Sequence, residues 1–175
     1  DYKFGFAEDI FNFNTPKLNA IKTLAESGKN PVTAGRPVNT EIFGNDYDYF
    51  NESFGTEWMG NTLRMEQGFE TGYVINVPFD GNYSLELKGY TNAESATLKV
   101  RVDGEVKAEF EMPPSSEVLT PINLALKAGL HGVRVRASLN GSESSRLFFE
   151  SLVLKSSQTS TENAVSEINF CLKQN

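Results

Sequence analysis

From Thr71 onward, apolar and polar residues alternate with a period of two, and turn residues punctuate the alternation. Tyr73-Val74-Ile75-Asn76-Val77 predicts a strand that stops at Pro78. Phe79-Asp80-Gly81-Asn82 predicts a tight turn in which Asp-Gly supplies a positive φ. Tyr83, Leu85 and Leu87 then alternate with Ser84, Glu86 and Lys88, giving one buried and one wetted face. Leu98, Val100 and Val102 repeat the pattern, and Asp103-Gly104 signals a hairpin into Val106, Ala108 and Phe110. After the Met112–Ser116 loop come Ile122 to Leu126, Val133 to Val135, an Asn140-Gly141-Ser142 turn, and a last strand over Leu147 to Leu154. Strands recurring about every 8–12 residues, with no helical period between them, predict a sandwich or barrel.

The first 70 residues are less regular. Short strands are expected at Lys3 to Glu8, Ala20 to Glu26 and Thr62 to Glu66, with a Gly/Pro/Asn-rich loop over 27–40. The Ser/Thr-rich stretch from Ser156 to Thr161 reads as a linker, and Glu162 to Lys173 as either a short helix or the start of a further domain. The expected division is therefore a β-sandwich over 1–155 and a linker or tail over 156–175.

Composition narrows the partners. Thirteen Phe, six Tyr and one Trp carry much of the apolar volume, which suits strands better than a helical bundle. A formal net charge of -7 argues against partners that present a phosphate backbone or an anionic membrane surface. No apolar run reaches membrane-span length. The single cysteine, Cys171, excludes an internal disulfide framework and a CxxC metal site.

Catalytic sets are scarce. The only histidine, His131, lies in an Ala-Gly-Leu-His-Gly turn, so Ser/Cys–His catalysis and a multi-histidine metal centre lack their parts. Two carboxylates could serve a glycosidase, but no Arg/Gln/His/Tyr cluster of the kind a jelly-roll lyase needs stands on neighbouring strands. The most unusual stretch is Phe43 to Trp58, which lacks strand alternation and mixes acids with aromatics. A sugar ring stacks its C–H face on an aromatic plane while its hydroxyls bond Asp, Asn or Glu. Trp58 and Tyr49 are the leading candidates for that stacking, with Tyr47, Asp46 and Glu57 beside them.

The run Gly72 to Leu87 (GYVINVPFDGNYSLEL) resembles the central strands of carbohydrate-binding modules of the family 6, 35 and 36 type. Leu98 to Gly104 (LKVRVDG), Leu126 to Val135 (LKAGLHGVRV) and Phe6-Ala7-Glu8-Asp9 resemble further family stretches, in the same order. The resemblance covers about residues 4–155. It implies an all-β fold, a jelly-roll β-sandwich of two antiparallel sheets of the galactose-binding-like kind, with a purely structural His131. It places a sugar-bonding Asn in the loop before the last strand, where Asn140 stands. Tyr90 and Asn92 follow the Tyr83 strand and are candidates for the border of the same site, with an ordinary turn as the other role of Asn92. It also implies a structural Ca²⁺ between an opening-strand Glu and a closing-strand acid, which by position are Glu8 and Glu150. The family's second opening Glu is Phe6 here.

These readings lead to a non-catalytic domain, extracellular or at the cell surface, that binds polysaccharide or oligosaccharide. It would deliver an associated polysaccharide-degrading enzyme or surface complex to its glycan. The alternative is a structural or protein-interaction sandwich within a multidomain glycoside hydrolase or cell-surface assembly. A small jelly-roll polysaccharide lyase is the least favoured reading.

Overall fold

The computed structural model describes residues 35–51 and 58–157, with backbone alone for 58–59. Its described residues form two β-sheets packed face to face. The first sheet orders β1 (Arg36–Pro37), β6 (Glu70–Val77), β12 (Gly129–Asn140), β8 (Ser95–Val102) and β9 (Glu105–Glu111), and β3 (Tyr49–Phe50) also pairs with β6. The second orders β10 (Glu117–Val118), β7 (Gly81–Thr91), β13 (Leu147–Ser156), β5 (Thr62–Met65) and β4 (Trp58–Met59). There β11 (Ile122–Leu126) pairs with β7, and β2 (Ile42–Phe43) with β13. All pairings are antiparallel except β1 with β6.

The period-two alternation explains this arrangement. Tyr73, Ile75, Val77, Leu98, Val100, Val133 and Val135 point inward from the first sheet. They meet Tyr83, Leu85, Leu87, Leu147, Phe149, Leu152 and Leu154 from the second. Tyr73, Tyr83, Phe69 and Phe149 are the largest fully buried side chains. Burying each such side chain contributes about 1.5–3 kcal/mol relative to exposure. The Tyr73 hydroxyl satisfies itself inside by donating to the Gly44 carbonyl at 2.6 Å, and burial pushes its phenol well above the usual range, so it stays neutral.

Two turns differ in how they are made. At Asp103-Gly104 both residues have positive φ, 49° and 84°, as the hairpin signal predicts. Gly81 does not adopt positive φ, contrary to the expectation for Asp80-Gly81, and it already belongs to β7. That turn is fixed from outside instead. The Asp80 carboxylate accepts the Ala128 N–H at 2.8 Å and the Lys127 ammonium at 2.9 Å, joining it to the neighbouring β11–β12 turn.

The Phe43–Trp58 stretch, which shows no alternation, contributes the end of β2 and the short strands β3 and β4. Each is two residues long, too short for a period to register. The expected strands at Lys3 to Glu8 and Ala20 to Glu26, and the tail beyond Ser157, lie outside the described residues.

Candidate functional site

One end of the sandwich forms a depression of about 530 Å³ between the β5–β6 turn and the β12–β13 loop. Glu66 and Gln67 line one side, and Leu139, Ser142, Ser145 and Arg146 the other. Gly68 turns the first wall with a φ of 77°. In the second wall, Gly141 approaches so closely that a Cβ would stand 2.4 Å from the Ser145 hydroxyl oxygen. The walls are tied together. Arg146 pairs with Glu66 at 3.0 Å, and the Gln67 side-chain oxygen accepts the Leu139 N–H. The result is a fixed concavity offering amide, hydroxyl, carboxylate and guanidinium groups.

Asn140 closes β12 at this rim, exposed and next to Leu139 and Gly141. Asn92 supports the loop from behind: its side-chain oxygen accepts the Arg146 N–H at 2.6 Å. Thr91 adds a second tie, donating from Oγ1 to the Arg146 carbonyl at 2.8 Å. Tyr90 points from the outer face of the second sheet, where its ring stacks on Phe148 with centroids 4.6 Å apart and planes 10° from parallel.

The acidic-aromatic stretch divides. Tyr47 is 7% exposed and packs edge-on against Phe50, so its ring belongs to the core. Tyr49 is half-buried on the outer face of the first sheet, under the Arg134 guanidinium at 5.5 Å. Gly72 is the cross-strand partner of both, and its lack of a side chain lets them meet. The Asp46 side chain is exposed, while its carbonyl accepts a hydrogen bond from Arg36. Asn51 holds the end of the stretch to the β5–β6 turn, donating to the Gly68 carbonyl and accepting the Glu70 N–H, both at 2.9 Å. The Trp58 backbone pairs with Leu63 in the second sheet. The Trp58 side chain and Glu57 lie outside the described residues, as does Glu8.

His131 is held on both ring nitrogens, by the Asp103 carboxylate at Nδ1 and the Lys127 carbonyl at Nε2. Glu150 receives the Ser116 hydroxyl and stands 4.0 Å from the Lys88 ammonium. No group of three His, Cys, Asp or Glu residues that could hold a metal ion occurs among the described residues. A calcium ion takes six to eight oxygens, so the described groups around Glu150 do not make a calcium site by themselves.

The fold is the jelly roll seen in carbohydrate-binding modules of families 6 and 36. One similar structure is the CBM36-1 domain of a multidomain xylanase from the hindgut metagenome of Trinervitermes trinervoides. It superposes with a TM-score of 0.55 at 15% identity, over 69% of this chain and 98% of that one. The module CBM6cm-2 of Cellvibrio mixtus lichenase 5A, in complex with cellotriose, gives 0.54 at 16% identity, over 69% and 99%. A CBM36 module in complex with calcium and xylotriose gives 0.53 at 9% identity, over 66% and 99%. No family model and no curated protein matches the chain.

Proposed function

We propose that this chain is a non-catalytic carbohydrate-binding domain that brings an associated polysaccharide-degrading enzyme or surface complex to its glycan. The observation that carries this reading is the 530 Å³ rim depression, bridged by the Arg146–Glu66 pair and lined with side chains that bond hydroxyls. Loops fixed on a stiff sandwich are a suitable base for recognition. The jelly-roll neighbours captured with xylotriose and cellotriose support the ligand class. In this reading Asn140 bonds sugar hydroxyls at the rim. Asp46 and Tyr49, with Glu57 and Trp58, frame the sugar, while Tyr47 stays in the core and Tyr90 lies on the opposite outer face, on the second sheet. Tethering then raises the local concentration of the partner enzyme on its substrate. A structural Ca²⁺ would join Glu8 to Glu150. Added calcium raising the Tm, and chelation lowering it, would support that ion, and a Tm indifferent to both would remove it.

A glycan array followed by calorimetric titration tests the function. The expected result is binding to at least one polysaccharide, weakened about tenfold by Asn140→Ala or Ser142→Ala, since each removes one hydrogen bond to the ligand. Absence of binding to plant, algal, host and microbial polysaccharides at millimolar ligand would overturn it.

A further inference from the structure

The sequence contains a single Asn-Gly pair, Asn140-Gly141, and the fold sets it where β12 ends beside the rim depression. Asparagine followed by glycine is chemically labile in water, because the backbone nitrogen of the next residue attacks the side-chain amide carbon. Glycine leaves that attack unhindered, having no Cβ. In a folded protein the reaction needs a free side-chain amide, an unengaged backbone nitrogen and access of water.

Asn140-Gly141 meets all three needs. Both residues are exposed, and the Asn140 amide makes no hydrogen bond among the described residues. The side chains of Asn39, Asn45, Asn51 and Asn92 are each engaged, with the Ser156 N–H, the Gly60 carbonyl, the Gly68 carbonyl and the Arg146 N–H. Those four also precede residues that carry a Cβ. On the backbone side, the Ala137 N–H donates to the Phe69 carbonyl at 2.9 Å, and the Leu139 N–H to the Gln67 side-chain oxygen. Gly141 holds the next place in that alternate series, and its N–H meets no acceptor among the described residues. Asn140, opposite Ser95, is the last register position of β12, so the ladder does not restrain the Gly141 peptide beyond it. The fold also keeps glycine in this place, since a Cβ would stand 2.4 Å from the Ser145 hydroxyl oxygen.

We propose that Asn140 converts spontaneously to aspartate and isoaspartate in the folded protein, and that the conversion ends recognition at the rim. The Gly141 nitrogen bonds to the Asn140 Cγ and the Cγ–Nδ2 bond breaks. The displaced nitrogen leaves as ammonia, carrying the Gly141 proton, and a cyclic imide remains. Water then opens the imide at either carbonyl, giving aspartate at one and isoaspartate at the other. Both products replace an amide that donates and accepts with a carboxylate that only accepts, on a rim that already carries Glu66 and Glu143. Isoaspartate also inserts an extra carbon into the backbone between β12 and Gly141. The conversion follows from the local geometry alone, whereas the loss of recognition rests on the carbohydrate-binding reading above.

The test incubates the full chain in mildly alkaline buffer, folded and, in parallel, unfolded in guanidinium chloride. Trypsin then releases residues 137–146 as one peptide, because Arg136 and Arg146 bound it. Mass spectrometry reads the change from amide to acid, and labelling by an isoaspartyl methyltransferase reads the isomer. The expected result is conversion of Asn140 ahead of the other asparagines, at a folded-state rate within about tenfold of the unfolded chain. A greater slowing, an added barrier above about 1.4 kcal/mol imposed by the fold, would overturn the proposal. Equal conversion at other asparagines would overturn it too. Asn140→Gln, which must close a larger ring, should abolish the isoaspartyl label; undiminished labelling would assign the isomer to another residue and sink the assignment. The converted protein and Asn140→Asp should both bind polysaccharide about tenfold more weakly than fresh protein. Full affinity in either would overturn the loss of recognition. Fresh protein that binds no polysaccharide would overturn the carbohydrate reading and that loss together, while the mass measurement still decides the conversion.

Discussion

The Asp48 carboxylate accepts the backbone N–H of Val74 at 2.7 Å, taking a place in the β-ladder that a strand would normally fill. β3 pairs with β6 at Gly72 and Thr71, and β1 pairs with the same strand at Ile75 and Asn76. Between these two short strands, the Val74 N–H would be a buried donor with no backbone acceptor. Asp48, 4% exposed, supplies the acceptor, and Arg36 from β1 balances its charge.

Asp48→Ala should therefore destabilise the fold by about 1–3 kcal/mol, the cost of leaving a buried donor unsatisfied. Asp48→Asn keeps an acceptor oxygen and should lose less. Urea unfolding midpoints of the two variants check the order; equal losses would refute the role given to the Val74 bond.

Gly44 lies against the strand β13. A Cβ there would stand 2.1 Å from the Phe149 carbonyl oxygen, a backbone atom that no rotamer change can remove. Gly44→Ala should reach or exceed the top of the about 1–3 kcal/mol range for overpacking. Thermal unfolding measures it, and a Tm within a degree or two of the parent would contradict the close approach.

Asp80 makes stability depend on acid pH. The Ala128 N–H, and then the Lys127 ammonium, hold its carboxyl below the usual aspartate range. A carboxylate with a depressed folded-state pKa stabilises fully above its unfolded value of about 3.9, and the contribution disappears as pH falls through the folded value. Asp80→Asn should flatten the loss of stability below about pH 4. Unfolding midpoints across that range decide it, and parallel slopes in parent and variant would count against the linkage.

Phe148 is 8% exposed although it points outward, because Tyr90 covers one side and the Arg64 guanidinium stands 5.8 Å from its ring centroid. Tyr90→Ala should lose about 0.5–1.5 kcal/mol of ring pairing beyond the area it uncovers, while Tyr90→Phe keeps the stack. Chemical denaturation of both variants tests this, and an equal loss in the two would assign the effect to the hydroxyl.

Strand positions from Thr71 to Leu154 were legible in the sequence, because a half-buried strand writes its two faces into alternate residues. The Asp103-Gly104 hairpin was legible for a similar reason: its backbone demands two positive φ angles that few residue pairs accept. The Asn140-Gly141-Ser142 turn was legible from its residue types, and Asn140 is the last residue of β12 at that turn. Gln67, Glu66 and Arg146 carried no such mark, since polar loop residues look alike until the two loops they occupy are brought together.

Tertiary structure alone decided the rest. Asp46, Tyr47, Asp48 and Tyr49 are neighbours in sequence, yet one is exposed, one packs in the core, one completes a ladder and one lies under an arginine. Arg134 and Arg136 could be assigned to an outward face from alternation. That they stand opposite Arg101 and Lys99 followed only from the register of β12 on β8. Alternation is a local property of one strand, whereas register and loop apposition arise from contacts between segments far apart in the chain.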